Sequence, residues 1–220
     1  PANTSAATVD GVNTAFDLDA NLGNRGAITF WYKSNVNWSG SGAKDAQLAD
    51  ATTTNNRWFF LIKDSSGRVR LVLTDSAGTS VNAETASNTF SANTWVHVAA
   101  TWSLNAGTNQ TVLRVYLNGS LAISSNVTTT GTLHGDIGTL VLGDNRSSFV
   151  KTTGSDKGTP NSANGTLDEV RLYNFEISSA QVIADMDATH GCALDVRMGG
   201  FNVVNPGAHA ITGPITTKTA

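Results

Sequence analysis

Alternation of apolar and polar residues with a period of two limits the fold of this chain more than any other feature. The pattern recurs in residues 27–34, 57–75, 94–102, 110–124, 138–143 and 165–174. Successive side chains of a β-strand point to opposite faces, so this period predicts strands that are buried on one face. Asn118-Gly119 lies between two such segments and favours a two-residue hairpin turn. The sequence therefore predicts many short antiparallel strands.

One helix interrupts this pattern near the end of the patterned region. Ser178 and Gln181 have the spacing of a capping box, in which each side chain satisfies a backbone amide of the first turn. Val182, Ile183 and Met186 would form the apolar stripe of the helix. We predict an all-β fold, an antiparallel two-sheet jelly-roll sandwich with one short C-terminal helix packed against it.

The charge and the hydropathy of the chain argue against two classes of partner. Charged residues make up 14% of the 220 residues and the formal net charge is −3. This balance leaves no basic stripe, so nucleic acid is not expected as a partner. No apolar run approaches the ~20 residues of a membrane span, so direct membrane insertion is not expected. Ser, Thr, Asn and Gly supply the polarity instead, as is typical of secreted β-proteins.

The strand pattern ends near residue 190, which divides the chain into two parts. We interpret residues 1–190 as the sandwich and residues 191–220 as a linker and the start of a following β-rich domain. The chain would then be a piece of a longer protein. Cys192 is the sole cysteine. It is either a free thiol or the partner of a cysteine outside this piece.

Two long polar segments, 35–56 and 144–165, are candidate binding loops. Trp38 stands alone in the first segment, where it could be a stacking platform for a sugar or an anchor packed on the sheet. The second segment begins with Asp144, Asn145 and Arg146. These residues could bind a sugar or a cation at the rim of the sandwich, or form an ordinary polar loop.

Asp168 raises a separate question, because strand parity places it on the same face as Val170 and Leu172. Glu169 and Arg171 would then share the opposite face and pair with each other. An unpaired buried carboxylate costs several kcal/mol. Asp168 would therefore be protonated, accept hydrogen bonds, or bind a cation.

Catalytic signatures are missing from the sequence. A retaining glycosidase needs two carboxyl groups about 5–5.5 Å apart, and no Glu-x-Asp-x-Glu run supplies them on one strand face. Asp17 and Asp19 are two residues apart but lead into a loop, where they are best explained as solvated carboxylates. The four histidines are far apart and have no metal-binding spacing. We predict that the chain is not an enzyme.

Four stretches carry a resemblance to a known family: VDGVNTAFDL, AITFWYK, NTWVHVAATW with LRVYLNGSLA, and GTLDEVRLYNFEISSAQV. Together they resemble the LamG-like jelly roll of the concanavalin A-like lectin/glucanase superfamily. The resemblance implies a structural calcium ion, with the Asp168 side chain and the Gly11 carbonyl as ligands and Asp10 as a possible second donor. Such a site would tie the first strand to the last. The alternative is that Asp168 only accepts structural hydrogen bonds.

The segment FNVVNPGAHAITGPITTKTA is similar to parts of MshQ-like proteins of mannose-sensitive haemagglutinin pilus systems. With the first resemblance, it implies a non-catalytic recognition module of an exported bacterial surface or pilus-associated protein. The module would be extracellular or on the cell surface, bind a glycan or a surface protein, and adjoin other domains of the same chain. A purely structural spacer in an adhesin-like protein is the alternative, and a degenerate glycoside hydrolase is less favoured.

Overall fold

The computed structural model describes residues 11–53, 57–105, 109–144 and 162–188, together with the backbone of two short strands beyond them. The chain forms two antiparallel sheets that pack as a sandwich, as the alternation predicts. It also has the predicted short C-terminal helix. Within the described residues, none of the helices has the length and apolar character needed to cross a membrane.

Six strands form one sheet, in the spatial order β1, β10, β3, β4, β5, β6. Their bounds are β1 Val12–Asp17, β3 Ala46–Asp50, β4 Phe59–Lys63, β5 Val69–Thr74, β6 Ser80–Glu84 and β10 Thr139–Leu142.

Five strands form the other sheet, in the order β11, β2, β7, β8, β9. Their bounds are β2 Arg25–Ser34, β7 Trp95–Ser103, β8 Gln110–Leu117, β9 Ser120–Thr128 and β11 Gly165–Tyr173. Two further strands, β12 Asp195–Arg197 and β13 Asn202–Val204, pair with each other.

The main core lies between the two sheets and is built by the alternating residues that the sequence indicates. Phe30 and Tyr32 of β2 and Val98 and Trp102 of β7 are fully buried there. The Trp102 ring packs edge-on against Phe59 of the opposite sheet, with ring centroids 5.0 Å apart. Each such side chain contributes about 1.5–3 kcal/mol through burial, so this layer holds the two sheets together.

Three elements were not expected from the sequence. The first is strand β3, which lies inside the predicted loop 35–56. The second is strand β6, which has only five residues. The short helix α1, Leu18–Leu22, follows β1, and Asp17 caps it by accepting a hydrogen bond from the Ala20 amide at 3.3 Å. Asp17 is therefore an exposed helix cap and not simply a solvated carboxylate at the end of a strand.

The C-terminal helix α2, Ser179–Ala188, begins with the predicted capping box. The Gln181 side chain accepts from the Ser178 amide at 2.8 Å, and the Ser178 hydroxyl accepts from the Gln181 amide at 3.3 Å. The predicted apolar stripe is only partly right. Val182 is buried, whereas Ile183 is 45% exposed and a carboxylate, Asp185, takes its place beneath the helix.

Asp185 fastens α2 to the outer face of the five-stranded sheet. Its carboxylate accepts hydrogen bonds from the hydroxyl of Thr29, from Arg171 at 2.7 Å and from the Tyr173 hydroxyl at 2.9 Å. Burial, and then the nearby Asp185 charge, raise the pKa of Tyr173 to about 12. We call this surface the helix face; it comprises Ala27, Thr29, Trp31, His97, Ala99, Thr101, Arg114, Tyr116, Arg171 and Tyr173.

Candidate functional site

The two predicted binding loops meet at one end of the sandwich. The Asn35 amide donates to the Asn164 carbonyl at 2.9 Å, and the Tyr32 hydroxyl donates to the Ala163 carbonyl. The contact joins the start of the first loop to the end of the second. Residues 54–56 and 145–161 of these loops lie outside the described residues.

Trp38 anchors the first loop and is not an exposed platform. Its side chain is fully buried and its ring packs against Phe90 at 4.9 Å and Tyr32 at 6.0 Å. The Trp38 amide also donates to the Phe90 carbonyl at 3.0 Å. The interpretation of Trp38 as a stacking residue for a sugar is therefore wrong, because its ring is part of the core between the two sheets.

Lys63 reinforces this anchor from inside the sandwich. Its ammonium group donates to the Lys44 carbonyl at 2.5 Å and the Trp38 carbonyl at 3.4 Å. Burial lowers the pKa of Lys63 to about 8, although the carboxylates of Asp45 and Asp64 oppose the shift. Lys63 thus holds the loop in place at the cost of burying a cation.

Asp168 lies on the outer face of its strand, contrary to the parity argument. The register pairs Asp168 with Trp31 and Arg171 with Thr29, so Glu169 and Val170 together oppose the single residue between those two partners. Glu169 takes a left-handed φ of 52°, which marks a β-bulge. Leu167, Val170 and Leu172 all pack toward the core, whereas Asp168 is exposed.

The Asp168 carboxylate accepts a hydrogen bond from the amide of Glu169 at 2.8 Å, which matches the structural alternative. The predicted pairing of Glu169 with Arg171 is confirmed, at 2.9 Å.

Of the predicted calcium ligands, Asp168 and Gly11 belong to different sheets. Gly11 directly precedes β1, an edge strand of the six-stranded sheet. It lies close to Asp144, since a Cβ atom added to Gly11 would be 2.9 Å from the Asp144 Cβ. The described residues contain no group of three His, Cys, Asp or Glu side chains suited to a metal ion. Calcium binding by Asp168 and Gly11 stays a prediction.

Asp144 is the one described member of its predicted triplet. It is buried and accepts a hydrogen bond from the Ser162 hydroxyl at 3.1 Å. Asn145, Arg146, Asp10 and Cys192 lie outside the described residues.

A second apolar cluster lies on the outer face of the six-stranded sheet. It consists of Trp58, just before β4, of Phe60 and Ile62 on β4, and of Val72 on β5. Their neighbours Phe59 and Leu61 point into the main core, so alternation forces these side chains outward. We call this surface the aromatic face; with its polar neighbours it comprises Gln47, Asp50, Trp58, Phe60, Ile62, Arg70, Val72 and Asn82.

Two polar atoms of the aromatic face are buried without a hydrogen-bond partner. They are the acceptor Oε1 of Gln47 and the donor Nε1 of Trp58. Gln47 lies opposite Ile62, four residues along from Trp58, so their backbone positions are about 13 Å apart along the strand direction. Phe60 lies between them. Other described residues also have such atoms, among them Trp38 Nε1, Asp75 Oδ2 and Thr101 Oγ1, but on the aromatic face a donor and an acceptor border one apolar surface, where a water or a ligand could satisfy both.

Charged residues border one end of this face. Arg70 lies opposite Ile62 on one side and Glu84 on the other, and its guanidinium pairs with the Glu84 carboxylate at 2.7 Å. Arg68 joins the same network, with its guanidinium 2.6 Å from Asp64 and 2.7 Å from Glu84. These mutual pairs fix the arginines in position.

The aromatic face is covered in this structure. Trp58 is 8% exposed, Phe60 and Ile62 are fully buried, and Arg70 is 7% exposed. A ligand would reach these side chains only if the face opens.

Asp50 and Glu84 are too far apart for glycoside hydrolysis, and the closer carboxylates Asp64 and Glu84 are both engaged by the Arg68 guanidinium. Asp50 is on β3 and Glu84 is on β6, so two intervening strands separate them. Three strand spacings place their backbones about 14 Å apart, beyond the roughly 5–9.5 Å between the carboxyl groups of glycosidases.

The helix face has a cavity of about 490 Å³ between β8, β9 and the start of α2. Its charged residues are Arg114 and Glu176, which form an ion pair with each other. The capping box of Ser178 and Gln181 forms another wall. Because these polar groups already pair, the cavity offers a ligand less than the aromatic face does.

These features define a jelly-roll β-sandwich with an aromatic and polar surface on one sheet. Residues 7–183 match the family model described as the concanavalin A-like lectin/glucanases superfamily, and the chain belongs to that superfamily. No curated protein matches the sequence.

Three solved structures are similar at low identity, and the two with a TM-score of at least 0.50 support the fold. The Ruminococcus gnavus IT-sialidase CBM40 is 17% identical with a TM-score of 0.51, covering 81% of this chain and 98% of its own. The same module bound to α2,3-sialyllactose is 15% identical with a TM-score of 0.50, covering 80% and 95%. The botulinum neurotoxin type G receptor-binding domain is 11% identical with a TM-score of 0.45; the match covers 75% of this chain and 38% of that one.

Proposed function

We propose that this chain is a non-catalytic carbohydrate-recognition module whose ligand binds on the aromatic face. The observation that carries the proposal is the pair of unsatisfied atoms, Gln47 Oε1 and Trp58 Nε1, at the two ends of an aromatic and aliphatic surface. Sugars present both apolar C–H faces and hydroxyl groups. An aromatic surface with a few fixed polar groups is the usual means of recognising such a ligand.

The chemistry assigns a role to each group. Gln47 Oε1 would accept a hydrogen bond from a sugar hydroxyl, and Trp58 Nε1–H would donate one. Phe60, between them, would contact a C–H face. Arg70 stays engaged with Glu84 and borders the site. Binding requires the face to open, so the affinity would be reduced by the fraction of molecules that are closed.

The module would bind its ligand without cleaving it. The wide separation of Asp50 and Glu84 supports this. The similarity of the fold to a carbohydrate-binding module supports it as well.

The wider context is also part of the proposal. We place the module, residues 1–190, in an exported bacterial surface or pilus-associated protein, with residues 191–220 leading into a following domain. The uncharged polar composition and the resemblance of the tail support this setting. A spacer without a ligand is the alternative, and it is distinguished by the same experiment.

A glycan array that includes α2,3-sialyllactose tests the proposal, followed by titration of the strongest glycan. Trp58→Phe and Gln47→Met should each weaken binding while the protein remains folded. Trp95→Phe is the matched control, because Trp95 lies on β7 of the other sheet, beneath the Lys33 ammonium group. Silence across the array supports the spacer. Binding lost in the Trp95 variant but kept in the Trp58 variant would place the site elsewhere.

A further inference from the structure

The two sheets have four edge strands, and three of them carry features that hinder pairing with another strand. β1 has a register shift and a left-handed residue, Ala15, with a φ of 56°. β6 has only five residues and ends with a carboxylate. β11 has the bulge at Glu169 and bears Asp168 and Arg171. Irregularity, shortness and charge are the usual means of protecting a sheet edge.

The fourth edge strand, β9, lacks these protections over most of its length. Its nine residues, SLAISSNVT, include no charged residue and no proline. Its one irregularity is near the start, and the pairing with β8 is regular from Ile123 to Thr128. Ser124, Asn126 and Thr128 are exposed along this part. In the described part of the chain, β9 has a strand partner on one side only.

We propose that β9 pairs antiparallel with β9 of a second copy of this chain. The register with Ser125 on the two-fold axis sets Ile123 against Val127 of the second copy. Both side chains are only partly buried and pack against the main core. The same register sets Ser124 against Asn126 of the second copy on the outer side. Apolar residues thus meet apolar ones and polar residues meet polar ones, with no like charges opposed.

This match selects a second copy over an unrelated strand. The strand is complementary to itself about one axis, which is the requirement for an isologous two-fold interface. Pairing would join the two five-stranded sheets into one of ten strands and leave no free β9 edge. The aromatic face belongs to the other sheet, so this inference does not rest on the proposed function.

Sedimentation velocity over a wide range of protein concentration tests the pairing. The wild-type chain should dimerise reversibly. The double variant S124D/N126D opposes carboxylates twice across the axis and should raise the dimer dissociation constant about tenfold or more. In the monomer both positions are exposed, and residue 124 faces Arg114, so the fold should be retained.

The matched control is N13D/T166D, which adds the same charge at exposed positions of the edge strands β1 and β11. It should dimerise like the wild type. Mixing S124D/N126D with S124K/N126K should restore a dimer, because each carboxylate then faces an ammonium group. A wild-type chain that is monomeric at every concentration would overturn the proposal. A dimer that S124D/N126D leaves unchanged would overturn it as well.

Discussion

On the helix face, the Asp185 carboxylate receives hydrogen bonds from Thr29, Arg171 and Tyr173. On the aromatic face, Gln47 Oε1 and Trp58 Nε1 are buried without one. Both surfaces cover the outside of a sheet and both bury polar groups. The buried carboxylate of the helix face is satisfied by hydrogen bonds within the chain, whereas the aromatic face keeps a donor and an acceptor unused.

The two faces differ in the kind of unsatisfied polar group as well as in the number of such groups. The Thr101 hydroxyl on the helix face also lacks a hydrogen bond. In the described part of the chain, the aromatic face places an unused donor and an unused acceptor beside large apolar side chains. An unsatisfied buried group lowers the free energy of unfolding by about 1–3 kcal/mol. A ligand that forms hydrogen bonds with Gln47 and Trp58 would restore this stability.

Asp185→Ala should cause the largest loss of stability, because it leaves the Arg171 guanidinium without its buried partner. We expect a decrease of about 3 kcal/mol in the free energy of unfolding, measured by chemical denaturation. Asp187→Ala is the control, because Asp187 is exposed on the same helix. Equal effects of the two substitutions would show that Asp185 does not fasten the helix.

Tyr173→Phe should cost about 1.5 kcal/mol at neutral pH, since a hydrogen bond to a charged group is lost. The pKa of Tyr173 is raised to about 12 in the folded chain, so folding favours the neutral phenol. Its contribution is complete below pH 10 and is lost as the pH rises from 10 towards 12.

Between pH 10 and 12, the free energy of unfolding obtained from denaturation curves should fall more steeply with pH for the wild type than for Tyr173→Phe. Identical slopes in the wild type and the Tyr173 variant would refute the assignment.

Trp58→Phe should change the stability by less than about 1 kcal/mol, because the loss of ring contacts is offset by removal of an unsatisfied N–H group. The same substitution at Trp102 removes a donor to the Gly23 carbonyl within the main core. It should cost about 2 kcal/mol. Thermal melts of the two variants provide the comparison, and a larger loss at Trp58 would mean that its N–H group is satisfied.

Asp168→Asn should have the smallest effect, under about 0.5 kcal/mol, because the side chain is exposed and accepts one local amide. A melting temperature that falls on chelation in the wild type, but not in this variant, would instead restore Asp168 as a calcium ligand.

The alternating pattern was sufficient to predict strands and turns that depend on nearby residues. The Asn118-Gly119 turn has both residues at positive φ, 48° and 78°, and the capping box of α2 forms as expected. Strand β3 escaped prediction because AQLAD has no β-branched or aromatic residue and lies within a polar segment. Its membership of the sheet depends on β4 and β10.

The candidate site depended on information that a single strand does not contain. One bulge at Glu169 reversed the face of Asp168, and bulges follow from pairing with β2. Trp38 has polar sequence neighbours, yet Phe90, far along the chain, buries it. The aromatic face required knowing that the odd-numbered residues of β4 point inward, which leaves Trp58, Phe60 and Ile62 outside.

The most direct test of the aromatic face is the indole N–H spectrum of the ¹⁵N-labelled protein during titration with the best glycan from the array. The five tryptophans each contribute one signal, and Trp58→Phe identifies that of Trp58. We predict that the Trp58 signal shifts on binding while those of Trp38 and Trp102, buried in the main core, stay in place. A shift at Trp31 or Trp95 of the opposite sheet, with Trp58 unmoved, would contradict the account.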